Sequence, residues 1–250
     1  MSNISQYMFD IALPNENEEE LTKEYIKKGY QNVIFLYKIS NFEDTKIFKS
    51  IKSYPKINVY YGAIIDVSKT KEALSLAAEL FYNVKFFNDL VFILAKDFKF
   101  NRAIINKYFH NGLINPGYLD VEDHPNIRYI AIPTKFLKKI IDNNLSIVFS
   151  IKELKKNHTF LGRVMYLVKV LQKKNIPIIL GSFASSPEEV PYKSYLLAWK
   201  KILGIKYSKD FVFSEFIWNQ ICRTRKAKSP WVFADGFEIV KHPYEDCSEE

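Results

Sequence analysis

Short uncharged apolar runs alternate along this chain with stretches whose apolar side chains recur every three or four positions. Tyr7–Leu13, Asn32–Tyr37, Asn58–Ile65, Leu90–Ala95, Gly112–Asn115, Leu145–Ile151 and Ile176–Leu180 read as strands. Their nearly continuous apolar character implies burial on both faces, as in a parallel sheet. Between them, Glu16–Lys28, Glu43–Ser53, Ser68–Asn83, Asn101–Phe109, Thr134–Asp142 and His158–Lys174 keep the period of a helix face. The first of these helices carries Glu16 and Glu18–Glu20 in its opening turn, where the helix dipole favours acids, and Gly29 stops it. Pro125 and Pro133 interrupt any helix across 117–132. Two more helices are predicted, from Tyr192 to Gly204 and over Lys209–Arg223, and Trp231–Val240 around Asp235-Gly236 reads as a small hairpin. The β and α patterns alternate with short connections, so an α/β fold is expected, and about seven such units suit a closed or nearly closed barrel. The barrel domain would span 1–228, with 229–250 as a C-terminal extension of hairpin and acidic tail.

Charge sharpens this picture. The formal net charge is +8, but residues 99–174 hold 14 Lys and Arg against 5 Asp and Glu, and residues 193–228 hold 9 against 2. The acidic clusters, Glu16 with Glu18–Glu20 and Glu245-Asp246-Cys247-Ser248-Glu249-Glu250, lie near the ends. A basic body of this kind points to a polyanionic partner, nucleic acid before membrane. Cys222 and Cys247 are too few and too far apart for a disulfide scaffold or a zinc site. The final four residues lack the aliphatic pair of a prenylation signal, the first five lack a signal peptide's basic segment, and no window suits a membrane span. A soluble, cytoplasmic protein is expected.

Residues 176–205, IPIILGSFASSPEEVPYKSYLLAWKKILGI, hold the most information. A β-branched run leads into Gly181-Ser182-Phe183-Ala184-Ser185-Ser186, Pro187 and Pro191 bracket the start of a helix, and Tyr195, Leu196, Trp199, Ile202 and Leu203 form one face of it. The small-residue loop has two readings. It holds a phosphate on its N–H groups, or it is the tight connection of a βα unit. The Walker pattern is absent and Gly181 is the loop's sole glycine.

The strand ending Ile-Leu-Gly-Ser, Ala184-Ser185-Ser186-Pro187, Pro191-Tyr192-Lys193 and Leu203-Gly204 together resemble the C-terminal signature of the ribonuclease P protein component 3 family, archaeal relatives of a eukaryotic thirty-kilodalton subunit. Phe9-Asp10-Ile11 and Phe149-Ser150-Ile151-Lys152 extend the resemblance, which covers roughly residues 7 to 227. It implies an incomplete or distorted TIM-like (β/α) barrel with outer helices. It implies, too, a non-catalytic subunit of the RNA-based endonuclease that removes 5′ leaders from precursor tRNA. The partners would be ribonuclease P RNA, precursor tRNA through the complex, and a small ferredoxin-like subunit. This chain would bind no cofactor of its own, and magnesium would serve the catalytic RNA.

Catalytic motifs are sparse. The implied fold is similar to that of metal-dependent phosphoesterases of the PHP type, which need a His-x-His after the first strand. Here that strand ends Ile11-Ala12-Leu13-Pro14-Asn15, and His110, His124, His158 and His242 stand apart. Asp10 and Asp66 are the acids in or just after strands, placed either for a weak magnesium ion or for bridging within the barrel. There is no Gly-x-Ser-x-Gly, Cys222 has no nearby histidine, and Asp120-Val121-Glu122-Asp123-His124 reads as a solvated loop. Basic residues do fall at strand ends. Lys38, Lys152 and Lys193 would converge on one rim, with Arg128, Lys135, Lys138 and Arg163 beside them, neutralising phosphates of a structured RNA. The resemblance implies the RNA-binding set Lys38, Lys152, Arg163 and Lys193, with Arg128 in a region that departs from the family. A general RNA-binding barrel outside ribonuclease P and a free-standing phosphoesterase are the competing readings.

Overall fold

The computed structural model describes residues 8–118, 132, 134–206, 210–229, 232–234 and 237–238. Seven parallel strands stand in chain order: β1 (Phe9–Ala12), β2 (Asn32–Ile39), β3 (Asn58–Ile65), β4 (Leu90–Leu94), β5 (Gly112–Ile114), β6 (Ser146–Ser150) and β7 (Ile178–Gly181). The outer layer is α1 (Glu18–Lys27), α2 (Thr70–Tyr82), α3 (Phe98–Ile105), α4 (Leu137–Asp142), α5 (Ile151–Lys156), α6 (His158–Gln172) and α7 (Lys193–Ile202). Last come α8 (Asp210–Lys228) and the antiparallel pair β8 (Val232–Ala234) and β9 (Phe237–Glu238), within the span expected to form a hairpin.

Side chains alternate between two cores, which is why the strands look uniformly apolar in sequence. Phe9, Ile11, Ile34, Leu36, Ile64, Phe92, Ile114, Val148 and Ile179 fill the barrel. Their neighbours, such as Val33, Phe35, Ala63, Val91, Ile147 and Ile178, pack under the helices. On α2 the buried residues Ala73, Leu76, Ala77, Leu80 and Phe81 keep the helical period. The row of paired residues Lys38, Ile64, Phe92, Gly112 and Ser146 runs from near the end of β2 to the start of β6. That stagger is what lets a sheet curl into a barrel.

Closure joins β1 to β7 and the three residues after it. Ala12 bridges Ala184, Leu13 N donates to Ala184 O at 2.8 Å, and Phe183 N donates to Ile11 O at 2.8 Å. Gly181 permits this approach, because a Cβ there would lie 2.7 Å from Ile11 Cβ. Asp10, fully buried on β1, accepts from Ser182 N at 2.7 Å, Ser182 Oγ at 2.6 Å and Tyr25 Oη at 2.8 Å. Asp10 therefore bridges within the barrel.

The opposite, N-terminal mouth is sealed by α8. Ile217 and Ile221 enter the inner core, and Trp218 meets Tyr60 edge-on with ring centroids 6.1 Å apart. Asn111, just before β5, donates to Gln220 Oε1 at 2.9 Å and Thr224 Oγ1 at 3.1 Å while accepting from Val91 N at 2.6 Å. Arg223 Nη1 donates to Asn144 O at 2.9 Å, and Arg225 Nε pairs with Asp89 at 2.8 Å. Lys228 Nζ donates to Phe86 O at 2.8 Å and Asn88 O at 2.6 Å. The basic run at 223–228 is thus largely an internal lock, and it extends the helix past the predicted end at Arg223.

Three local expectations change. Glu43–Lys49 is a 3-10 helix, since its buried residues Thr45 and Phe48 are three apart and suit a three-residue turn. The helix expected over Asn101–Phe109 spans Phe98–Ile105, because Asp97 caps it by accepting from Phe100 N at 2.7 Å. Ser150 ends β6 and also caps α5, where its Oγ accepts from Glu153 N at 3.3 Å.

Asp10→Ala is expected to lower the unfolding free energy by about 3 kcal/mol, because it strands the Ser182 N–H and the Tyr25 hydroxyl in the core. Asp10→Asn keeps an acceptor for Ser182 and should cost about 1 kcal/mol at the acid end. Burial raises the Asp10 pKa, although hydrogen bonds from Ser182 and Tyr25 oppose the shift. The folded state therefore holds this proton to higher pH, and stability falls as pH climbs from the ordinary carboxylate range through the raised value. Asn lacks that loss, so urea midpoints of the two proteins should draw together as pH rises; a widening gap would contradict the assignment.

Candidate nucleic-acid interface

The small-residue loop after β7 spends its N–H groups internally. Ser182 N and Phe183 N serve barrel closure, Ala184 N donates to Ser182 Oγ at 3.2 Å, and Ser185 N donates to Glu189 Oε2 at 2.8 Å. Of the two readings of this loop, the structure shows the tight connection.

Lys38 follows Ile34 and Leu36 on the inward face of β2, at the C-terminal mouth. It is exposed and makes no ion pair or hydrogen bond among the described residues. It lines a cleft of about 440 Å³ with Leu13, Asn15, Leu36, Asp44 and Ile47. Beside it Asp66 N donates to Ile39 O at 3.0 Å, and the Asp66 carboxylate pairs with Lys96 from the end of β4. Lys96 was missed in the sequence, although it directly follows an apolar strand run; its charge is met by Asp66.

Lys152, in the first turn of α5, is on the same side but engaged. Its Nζ donates to Ser185 Oγ at 2.6 Å and Glu189 Oε2 at 2.8 Å. Partial burial alone would raise the Glu189 pKa, yet hydrogen bonds from Lys152 and Ser185, with the Lys152 charge, hold it down at about 2.

Two of the expected positions differ from the shared-rim picture. Arg163 is 4% exposed on α6, and its Nη1 donates to Gly117 O at 2.9 Å, bracing the segment after β5. A guanidinium so enclosed meets carbonyl before phosphate. Lys193 opens α7, but its Nζ lies 5.6 Å from the Tyr30 ring, just before β2 begins. Lys28 Nζ donates to Val190 O at 2.5 Å, so the chain from Ser185 to Tyr192 descends the barrel wall before α7 starts. Roughly 20 Å of strand separates that level from Lys38. Burial lowers the Lys193 pKa. The structure brings Lys38 and Lys152 to one end, buries Arg163 against the segment that follows β5, and leaves Lys193 toward the other end. Lys135 and Lys138 are exposed, and Arg128 lies outside the described residues. Among the described residues no three His, Cys, Asp or Glu side chains cluster as metal ligands, and no helix is long and apolar enough to cross a membrane.

No protein-family model and no curated protein matches the chain. Among solved structures, it is similar to a chain in a cryo-EM structure of archaeal ribonuclease P with mature tRNA. The TM-score is 0.67 at 18% identity, over 95% of this chain and 100% of that one. The two share a fold from end to end. Two Arabidopsis enzymes overlap less well: the N6-mAMP deaminase MAPDA, with a TM-score of 0.45 at 13% identity over 77% of this chain and 57% of that one, and ADAL complexed with GMP, at 0.41 and 12% over 84% and 77%. Overlaps at that level carry no functional argument.

Because the folded Glu189 pKa is about 2 against an ordinary 4.5, its contribution is present above the ordinary value and disappears as pH falls toward 2. The carboxylate is 40% exposed, so screening holds the pair to about 1 kcal/mol. Glu189→Gln should therefore lower the urea midpoint at pH 7 and match the wild type near pH 2; equal midpoints at pH 7 would deny the pair any role.

Proposed function

We propose that this chain is a non-catalytic protein subunit of ribonuclease P. In this reading it binds and braces the catalytic RNA, which removes 5′ leaders from precursor tRNA with its own magnesium, and a small ferredoxin-like subunit pairs with it. The observation that carries the reading is the end-to-end overlap with a chain of archaeal ribonuclease P bound to mature tRNA. The signature at 176–205 and the basic body support it independently. The engagement of acids also supports a non-catalytic role: Asp10 is consumed in barrel closure and Asp66 is paired with Lys96. Lys38 is the rim cation best placed for a phosphate, with Lys152 at the same end of the barrel where RNA displaces Glu189.

Two measurements test this. Precursor-tRNA cleavage by the cognate RNA, near its magnesium threshold, should require the RNA and rise when this chain and its small partner are added. Cleavage by the proteins alone would reveal a catalytic site, and no change on addition would leave only a shared fold. Separately, Lys38→Ala should reduce the slope of log affinity for the RNA against log salt by about 0.7–0.9, one phosphate contact. Arg163→Ala should instead lower stability and leave that slope as it was. An unchanged slope in Lys38→Ala removes the rim from the interface.

A further inference from the structure

Several aromatic side chains remain exposed among the described residues, and two of them share a third, partly buried ring. Tyr82 ends α2 and is 42% exposed, while Tyr108 lies between α3 and β5 and is 54% exposed. Both stand against Phe109, with ring centroids 6.4 and 6.0 Å away. The three rings form a continuous surface beside the starts of β4 and β5, at the end of the barrel opposite Lys38.

Charge indicates what this surface meets. Lys85 and Lys107 flank it in sequence, both exposed and both without an ion pair or side-chain hydrogen bond among the described residues. Arg223 lies 5.3 Å over Phe81, whose ring contacts Tyr82 at 5.2 Å. A neighbouring acid, Glu79, accepts from Asn83 Nδ2 at 2.6 Å. The centre of a protein–protein interface is depleted in lysine, whereas exposed rings bordered by unpaired lysines match the bases and phosphates of a single strand. Duplex RNA hides its base faces and offers such rings nothing to stack upon.

We propose that Tyr82, Phe109 and Tyr108 form a stacking surface for unpaired RNA bases, with Lys85 and Lys107 neutralising the adjoining phosphates. This rests on the reading of RNA as the partner, and it adds a second contact region that recognises strandedness.

Binding of the full chain to a short labelled oligouridylate and to a labelled RNA duplex tests it by fluorescence anisotropy. Tyr82→Ala with Tyr108→Ala should weaken oligouridylate binding by about tenfold or more with the salt slope kept, and the matching Phe pair should bind as wild type. Lys85→Ala with Lys107→Ala should flatten the slope by about 1.4. Thermal melts of the exposed-site variants check folding. Unchanged oligouridylate affinity in the Ala pair overturns the surface, as does a wild-type preference for duplex. So does a photoreactive group at position 108 that crosslinks to a protein subunit and not to RNA in the assembled particle. An Ala pair with unchanged affinity that still stimulates precursor-tRNA cleavage refutes the stacking surface and leaves the subunit reading intact. A wild-type chain that binds oligouridylate through these tyrosines but stimulates no cleavage supports the surface and refutes the ribonuclease P reading.

Discussion

A parallel barrel has to join its first strand to its last, and no local turn can do that. Here the join rests on the Asp10 carboxylate, which gathers Ser182 and Tyr25 at the seam between β1 and β7. Few backbone bonds span that seam, so the three donors on one buried carboxylate supply much of its specificity. Burying a carboxylate costs free energy, and these donors offset it. Phe183 adopts a left-handed φ of 57°, which is uncommon for a bulky residue, and its ring enters the inner core while its N–H reaches Ile11. The small residues of the signature are therefore spacing and hydrogen-bonding elements of the closure.

Closure gives the barrel two ends of different character. At the N-terminal mouth α8 plugs the inner core, and its cations satisfy carbonyls and Asp89 in the connections ahead of β4, β5 and β6. At the C-terminal mouth Lys38 stands beside an open cleft and Lys152 is held by Glu189. The formal charge of +8 thus overstates what a polyanion meets, because Arg163, Arg223, Arg225 and Lys228 act within the fold. A ligand competes for exposed cations far more readily than for those already holding carbonyls.

The proposed function draws on that division. The proposed role as a brace for RNA draws on basic groups distributed over two ends and on acids engaged within the fold, while the archaeal ribonuclease P chain shares the architecture. In the proposed reading, the aromatic row at the closed end meets bases and the cation at the open end meets phosphates.

The order of strands and helices was legible from the sequence because hydrophobic period is a local property, and each buried strand announces itself in a handful of residues. So was the significance of 176–205, whose small residues and prolines mark a constrained connection. Local caps were also written there, though Asp97 was overlooked as the start of α3. What only the tertiary structure decided was the fate of each charge. Arg163 is enclosed by Gly117, 46 residues away, and Asp10 is held by Ser182, 172 residues away. Lys193 departs from the rim because the preceding segment descends the wall before its helix begins. A side chain's type sets what it can bond, but its partners come from distant parts of the chain, and they determine whether it remains available to a ligand.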